Sequence, residues 1–281
     1  MSQISYTPTP QDIAEYEEKG YWISPQLIDN DHIARLDRAM ERLFAGERDG
    51  EWSYFDGNQV TLPSDPYALR RVVNGWWVND VIRDTVLDAG LGKICAALMK
   101  VPGVRLWSDQ VILKPGQGKD GNAQTGNVGW HQDYAYWSIT DSPNMLTAWI
   151  ALQDTDLTNG GMRTLVGSHR WGLIKDSDTF FDSDLEALRE KFSTKVNAPW
   201  IDEPCLLKAG QVSFHHALCF HGSGENLTDQ PRRAIVGHYM PDGAKYKPCG
   251  KVKTQLRLLG PRPQPGQLFN NAAFPLVYPR K

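Results

Sequence analysis

Basic residues are not in excess in this chain. Thirty lysines and arginines stand against 33 aspartates and glutamates, for a formal charge of −3. That balance offers no electrostatic footprint for a phosphate backbone, so nucleic acid is not an expected partner. Cysteine is scarce as well. Cys95, Cys205, Cys219 and Cys249 form no C-x-x-C pair, which excludes a disulfide framework and a thiolate zinc motif; reduced thiols fit a cytoplasmic protein. No run approaches the roughly 20 apolar residues of a membrane span. Met1-Ser2-Gln3-Ile4-Ser5-Tyr6 lacks the basic region and apolar core of a secretory leader. Internal repeats, low-complexity tracts and a clear domain linker are all missing. What is present is ordinary globular material, 41% hydrophobic and 22% charged in 281 residues, enough for one large β-sandwich or barrel with additions. Ten tryptophans point to an aromatic-walled core or pocket.

The first hundred residues read as mainly helical. Thr9-Pro10-Gln11-Asp12 starts a helix that ends near Gly20, and Tyr21–Ser24 is a short strand. Asn30 caps a second helix with Ile33, Leu36, Met40 and Leu43 on one stripe. Residues 46–68 form a long polar loop with aromatics, placed over the active site, and Leu69–Asn74 is a strand. Asp80–Met99 is helical, broken in two by Gly90 and Gly92. From Val104 the helical period gives way to strands at Val104–Leu113, Met145–Leu152, Met162–Val166, Gln211–Phe214 and Ala234–Met240, with a Gly/Asn/Gln loop over Gln117–Asn127. The expected organisation is a single domain: a helical part over 1–103, a β core over about 104–245, a helical insert at 173–204 serving as a lid, and an extended tail over 246–281.

Chemistry concentrates at Trp130-His131-Gln132-Asp133. On an extended strand His131 and Asp133 point to one side and can take two cis positions on a metal ion. Asp133 stands among Trp130, Tyr134, Tyr136 and Trp137, where a buried carboxylate needs a partner. His221, in Phe220-His221-Gly222-Ser223-Gly224, supplies a third ligand with room beside it for a cosubstrate. Two histidines and one carboxylate form the facial triad of non-haem iron oxygenases, with coordination positions left open. On a continuous strand His215 lies about 20 Å from His221, so His215 and His216 are core or supporting residues, and His32, His169 and His238 are structural. A hairpin through Glu225–Gln230 brings Arg232 beside Ser223, where both can hold one carboxylate; Arg233 faces the other way.

These motifs resemble the phytanoyl-CoA dioxygenase family of Fe(II)- and 2-oxoglutarate-dependent oxygenases. The resemblance runs from Gln11 to about Met240 and rests on Trp130-His131-Gln132-Asp133, Thr147–Leu152, Asn159-Gly160-Gly161, Gly167-Ser168-His169, and His221-Gly222-Ser223-Gly224-x-Asn226 with Arg232. It implies a double-stranded β-helix (a cupin-like jelly roll) with flanking helices. It implies His131, Asp133 and His221 as iron ligands, with Arg232 and Ser223 on the far carboxylate of 2-oxoglutarate and Trp149 beside them. Arg71 matches a basic position near the other carboxylate, and Gln110 and Thr147 are pocket residues. Related halogenases lack the ligand carboxylate; its presence as Asp133 implies hydroxylation or a related oxidation, with dioxygen consumed and succinate and carbon dioxide released. Tyr134, Tyr136, Trp137 and Trp76 or Trp77 are the expected walls for a small-molecule substrate. Desaturation, cyclisation, epimerisation and a non-catalytic metal-binding jelly roll are the alternatives. Monomer and dimer are equally compatible with the sequence.

Overall fold

The computed structural model describes residues 4–279 except 54, 56–58, 118–125 and 250–253. The chain begins with α1 (Pro10–Lys19), β1 (Tyr21–Ile23) and α2 (Asn30–Phe44). A full capping box fixes α1: Thr9 accepts from the Asp12 amide while Asp12 accepts from the Thr9 amide, and Gly20 closes the helix at φ 83°. Asp29, not Asn30, caps α2 by accepting from the His32 amide. The stripe of Ile33, Leu36, Met40 and Leu43 is buried as its spacing requires.

Next come β2 (Val60–Thr61), β3 (Arg70–Val73), α3 (Asp80–Val86) and α4 (Ala89–Met99). The helical stretch does divide in two, but the glycines do not divide it. The break falls at Leu87-Asp88, where Asp88 caps α4 by accepting from the Gly90 and Leu91 amides. Gly90 and Gly92 lie inside α4 because other chain segments press on them: a Cβ at 90 would stand 1.8 Å from the Ile4 carbonyl oxygen, and one at 92 would stand 2.7 Å from Val277. Replacing a helical glycine by alanine ordinarily stabilises by about 1 kcal/mol. Here overpacking, at about 1–3 kcal/mol, dominates. Gly90→Ala is therefore expected to lower the urea midpoint with the m-value unchanged; an unchanged or raised midpoint would remove the packing argument.

The β core follows: β4 (Val104–Lys114), β5 (Val128–His131), the short α5 (Tyr134–Trp137), β6 (Leu146–Ala151), β7 (Met162–Leu165), α6 (Leu185–Ser193), β8 (Asp202–Pro204), β9 (Val212–His216), β10 (His221–Ser223) and β11 (Arg232–Pro241); β12 (Leu276–Tyr278) lies in the tail. The strands make two antiparallel sheets. The larger runs β1-β9-β6-β11-β4-β3-β2, with β12 also on β4, and the smaller runs β5-β10-β7-β8. This is the jelly roll, with α3 and α4 against β4, β6 and β11. Strands β1 and β3 put the N-terminal segment directly into the larger sheet.

Period-2 alternation sets what each face of the larger sheet carries. On β11, Ile235 and Tyr239 join the helix-covered core, while Arg232, Val236 and His238 face inward and line a cavity. On β6, Ala148 and Ile150 face the helices and Thr147 and Trp149 face the cavity. The tail is not a loose extension: Phe269 and Phe274 are buried against Trp107, at 5.1 and 5.3 Å between ring centroids. Among the described residues no helix is long and apolar enough to cross a membrane. The Gln117–Asn127 loop falls largely outside the described residues.

Candidate metal centre and its two cavities

His131 ends β5 and His221 opens β10, and the register pairs them directly. Asp133 departs from expectation. The strand stops at His131, and Asp133 has helical backbone angles (φ −56°, ψ −40°) at the start of α5. The turn, not a continued pleat, brings its carboxylate round: Asp133 Oδ1 lies 3.6 Å from His131 Nε2 and 3.8 Å from His221 Nε2. The three ligand atoms lie within 4.8 Å of one another, and all three residues are buried.

Hydrogen bonds orient these ligands. His131 Nδ1 is 2.7 Å from the Gly129 carbonyl oxygen and His221 Nδ1 is 3.0 Å from that of Cys219. A carbonyl only accepts, so both Nδ1 atoms carry a proton, and both rings turn Nε2 toward Asp133. Burial holds His221 well below the ordinary histidine range, in keeping with a neutral ring. For Asp133, burial opposes ionisation, but the surrounding histidines, His221 foremost, hold it well below the usual carboxylate range. At 3.6 and 3.8 Å the carboxylate oxygen and the two ring nitrogens stand beyond hydrogen-bond length of one another. A divalent cation between them would take all three as ligands, so the donor set fits a 2-His-1-carboxylate metal.

Behind Asp133 runs a directed chain of hydrogen bonds. Thr147 Oγ1 donates to Asp133 Oδ2 at 2.6 Å. Its oxygen can then accept from His238 Nδ1 at 2.9 Å, which leaves His238 Nε2 to accept from Gln110 Nε2 at 3.2 Å. Burial pulls His238 down to about 4, so the ring is neutral, as the chain requires. His238 was expected to be merely structural; its place opposite Thr147 in the β11–β6 register puts it behind the metal ligand. The inward row from Arg232 in steps of two also reaches 238 and was the available signal. His215 needs correction too. The chain turns through Ala217–Phe220 and crosses from the larger sheet to the smaller, so the His215 and His221 rings are 4.3 Å apart, not 20 Å. His215 Nε2 lies 3.5 Å from Asp133 Oδ2, a supporting position.

The inner cavity, about 60 Å³, extends from this cluster to Arg232, with Ile112, Val128, Trp149, Met162, Ser223 and Val236 along it. Arg232 is 4% exposed. Burial brings its guanidinium down to about 10, which leaves it charged at neutral pH. It stands 5.1 Å from the Trp149 ring, and no carboxylate among the described residues pairs with it. Arg232 and Ser223 thus line one cavity, although Arg232 pairs across the sheet with Lys114 and not with Ser223. Lys114 escaped the sequence reading, where Lys114-Pro115-Gly116 marked only a turn. It is fully buried, and its Nζ donates to Ser223 Oγ at 2.7 Å and to the Gly224 carbonyl at 2.5 Å. Burial, then the Arg232 charge, holds its ammonium well below the ordinary lysine range.

An outer cavity of about 420 Å³ opens above His131 and Asp133. Trp77, Tyr136 and Trp137 line it as expected, with Arg71, Gln110, Phe180 and Phe181. Tyr134 does not. It is buried and donates its hydroxyl to the Thr140 carbonyl at 2.7 Å, which makes it a core residue. Trp76 also lies outside both cavities, packed among Trp52 and Trp77. Arg71 lines the outer cavity but not the inner one. The insert contributes its loop to the wall, not its helix: the Phe180 ring meets His131 edge-on at 5.2 Å, whereas α6 packs beside Trp130 and Phe220. Gln132, between the two ligands, ties this loop down. Its Oε1 accepts from the Ile174 amide and Ser177 hydroxyl, and its Nε2 donates to the Gly172 and Leu218 carbonyls.

A family model described as phytanoyl-CoA dioxygenase matches residues 16–234. The peroxisomal phytanoyl-CoA dioxygenase of Rattus norvegicus is 28% identical over 245 residues, covering 82% of this chain and 68% of that protein. Ectoine dioxygenase of Streptomyces avermitilis is 25% identical over 248 residues, with coverages of 81% and 77%. Among solved structures, the non-haem alpha-ketoglutarate-dependent carbocyclase SnoK from nogalamycin biosynthesis shares the fold at a TM-score of 0.73 and 24% identity, covering 96% of both chains.

Proposed function

This chain belongs to the phytanoyl-CoA dioxygenase family, and from that premise we propose that it is an Fe(II)- and 2-oxoglutarate-dependent dioxygenase that hydroxylates a small molecule. The observation that carries the proposal is the pairing of two features in one inner cavity. At one end, two imidazole nitrogens and a carboxylate converge; at the other, a buried guanidinium has no carboxylate partner among the described residues. A metal ion satisfies the first, and the far carboxylate of 2-oxoglutarate satisfies the second.

When bound, iron with 2-oxoglutarate and dioxygen supplies an oxidant for an unactivated C–H bond and releases succinate and carbon dioxide. The chain's own residues hold and orient. His131, Asp133 and His221 hold the iron. Thr147 fixes the Asp133 carboxylate, and His238 and Gln110 fix Thr147. Arg232 presents a rigid fork of N–H donors to a carboxylate; Ser223, which accepts from Lys114, keeps its own hydroxyl hydrogen for the same group. Ile112, Met162 and Val236 pack the methylenes between and exclude water. The outer cavity holds the substrate against the metal face beside His131 and Asp133. The buried thiols of Cys95, Cys205 and Cys219 support a cytoplasmic setting.

The test is anaerobic loading with iron and 2-oxoglutarate followed by oxygen. Succinate is expected in stoichiometric excess over enzyme, and a visible absorption band on 2-oxoglutarate addition before oxygen. Absence of both succinate and calorimetric binding of 2-oxoglutarate would remove the assignment. Product analysis with a turned-over substrate then separates hydroxylation from desaturation, cyclisation and epimerisation.

A further inference from the structure

Two other half-buried arginines find acceptors. Arg83 donates to the Trp76 and Trp77 carbonyls, and Arg105 to Asp242 and the Phe274 carbonyl. Arg71 differs. It sits on β3 opposite Ile112, and its Nε is buried with no hydrogen-bond partner. Among the described residues it has no ion pair; its guanidinium carbon rests 5.2 Å from the Phe180 ring and 5.1 Å from the Phe181 ring. Those ring faces stabilise a cation weakly and supply no acceptor in the plane of the fork. Among the residues lining the outer cavity Asp133 is the single carboxylate, and it is committed to Thr147 and the histidines. A buried guanidinium nitrogen without an acceptor is costly, and the cavity, which Arg257 also lines, offers Arg71 no uncommitted carboxylate among the described residues.

The other walls say what that anion is attached to. Trp77, Tyr136, Trp137, Phe180 and Phe181 share the cavity wall with Arg71 and with polar side chains that include Arg257, and flat aromatic walls favour a flat, unsaturated guest. At about 420 Å³ the cavity falls within the range of small-molecule sites. Accepting the inner cavity as the 2-oxoglutarate site, we infer that the outer cavity takes a planar ring compound bearing a carboxylate, with the carboxylate on Arg71. The assignment moves Arg71 from the cosubstrate, where the family resemblance placed it, to the substrate.

The probes are 2-naphthoate, its neutral isostere 2-naphthamide, and 2-oxoglutarate, titrated calorimetrically into anaerobic iron-loaded protein, with 2-oxoglutarate present for the two naphthyl probes. The wild type is expected to bind naphthoate at least tenfold more tightly than the amide, since a bidentate Arg–carboxylate contact is charge-assisted on both bonds. Arg71→Gln should erase that preference while leaving 2-oxoglutarate affinity within twofold, and retained 2-oxoglutarate binding also shows that the variant is folded. Arg71→Lys should keep a preference of intermediate size. Equal binding of acid and amide by the wild type, or no binding of naphthoate, overturns the inference. So does an Arg71→Gln protein that loses 2-oxoglutarate affinity tenfold, since Arg71 then serves the cosubstrate. Failure of the wild type to bind 2-oxoglutarate at all is a separate result and overturns the functional reading beneath.

Discussion

An Arg232→Ala protein should need roughly 30- to several-thousand-fold more 2-oxoglutarate for half-saturation. The figure follows from the cost of truncating one partner of a buried, hydrogen-bonded charge pair, about 2–5 kcal/mol, at about 1.4 kcal/mol per decade. The same substitution should leave stability without ligand nearly untouched. Arg232 is charged and buried, with no carboxylate among the described residues to offset its desolvation, so its removal relieves a penalty as it opens a cavity. A purely structural arginine would behave in the opposite way, with lost stability and an unmoved KM. Lys114→Met releases Ser223 but leaves the fork in place, so its effect on KM should have the same sign and be smaller. An unchanged KM in Arg232→Ala would sink the assignment of the inner cavity.

Asp133→Asn carries the second large effect, and its size depends on metal. In the metal-free protein the fold holds the Asp133 carboxyl well below the usual carboxylate range, so the ionised form stabilises the native state at neutral pH, and metal-free Asp133→Asn should melt below the wild-type temperature. Iron widens the gap. A ligand bound at about a thousand times its Kd stabilises the native state by roughly 4 kcal/mol, and the variant, deprived of the anionic ligand, should lose most of that gain. Turnover should fall by at least about a thousandfold, since a metal site lacking its charged donor both binds and positions poorly. Equal melting shifts on iron addition in both proteins would show that Asp133 is not a ligand.

Much of this site could be read from the residues because its signals are local. The Thr9–Asp12 cap, the α2 stripe, the His131–Asp133 pair and the inward row from Arg232 each lie within one element. The misreadings at the site and in α4 involve chain reversal or packing between distant segments. Asp133 looked like a strand residue because spacing is blind to a strand that ends at its first ligand. His215 looked remote because the distance argument assumed one strand where the chain changes sheets. Lys114 looked like a turn residue since its acceptors, Ser223 and Gly224, lie on another strand. Gly90 and Gly92 looked like helix breakers, and only Ile4 and Val277 explain them. Tyr134 shows the opposite error: nearness in sequence to two ligands does not put a side chain in their cavity.

The tail has a consequence for how the enzyme is made. Its strand β12 pairs with the start of β4, and its phenylalanines cover Trp107 on the same strand. Strand β4 also carries Gln110 and Lys114, which support the metal ligand and the carboxylate clamp. On the ribosome, all three metal ligands and Arg232 emerge before the segment that finishes β4's outer packing. A nascent chain therefore exposes Trp107 after its metal ligands have emerged, and the site matures only once the segment 269–278 follows. Truncations beyond Asp242 should accumulate as slow-maturing, aggregation-prone protein, even though every residue assigned to chemistry is still present.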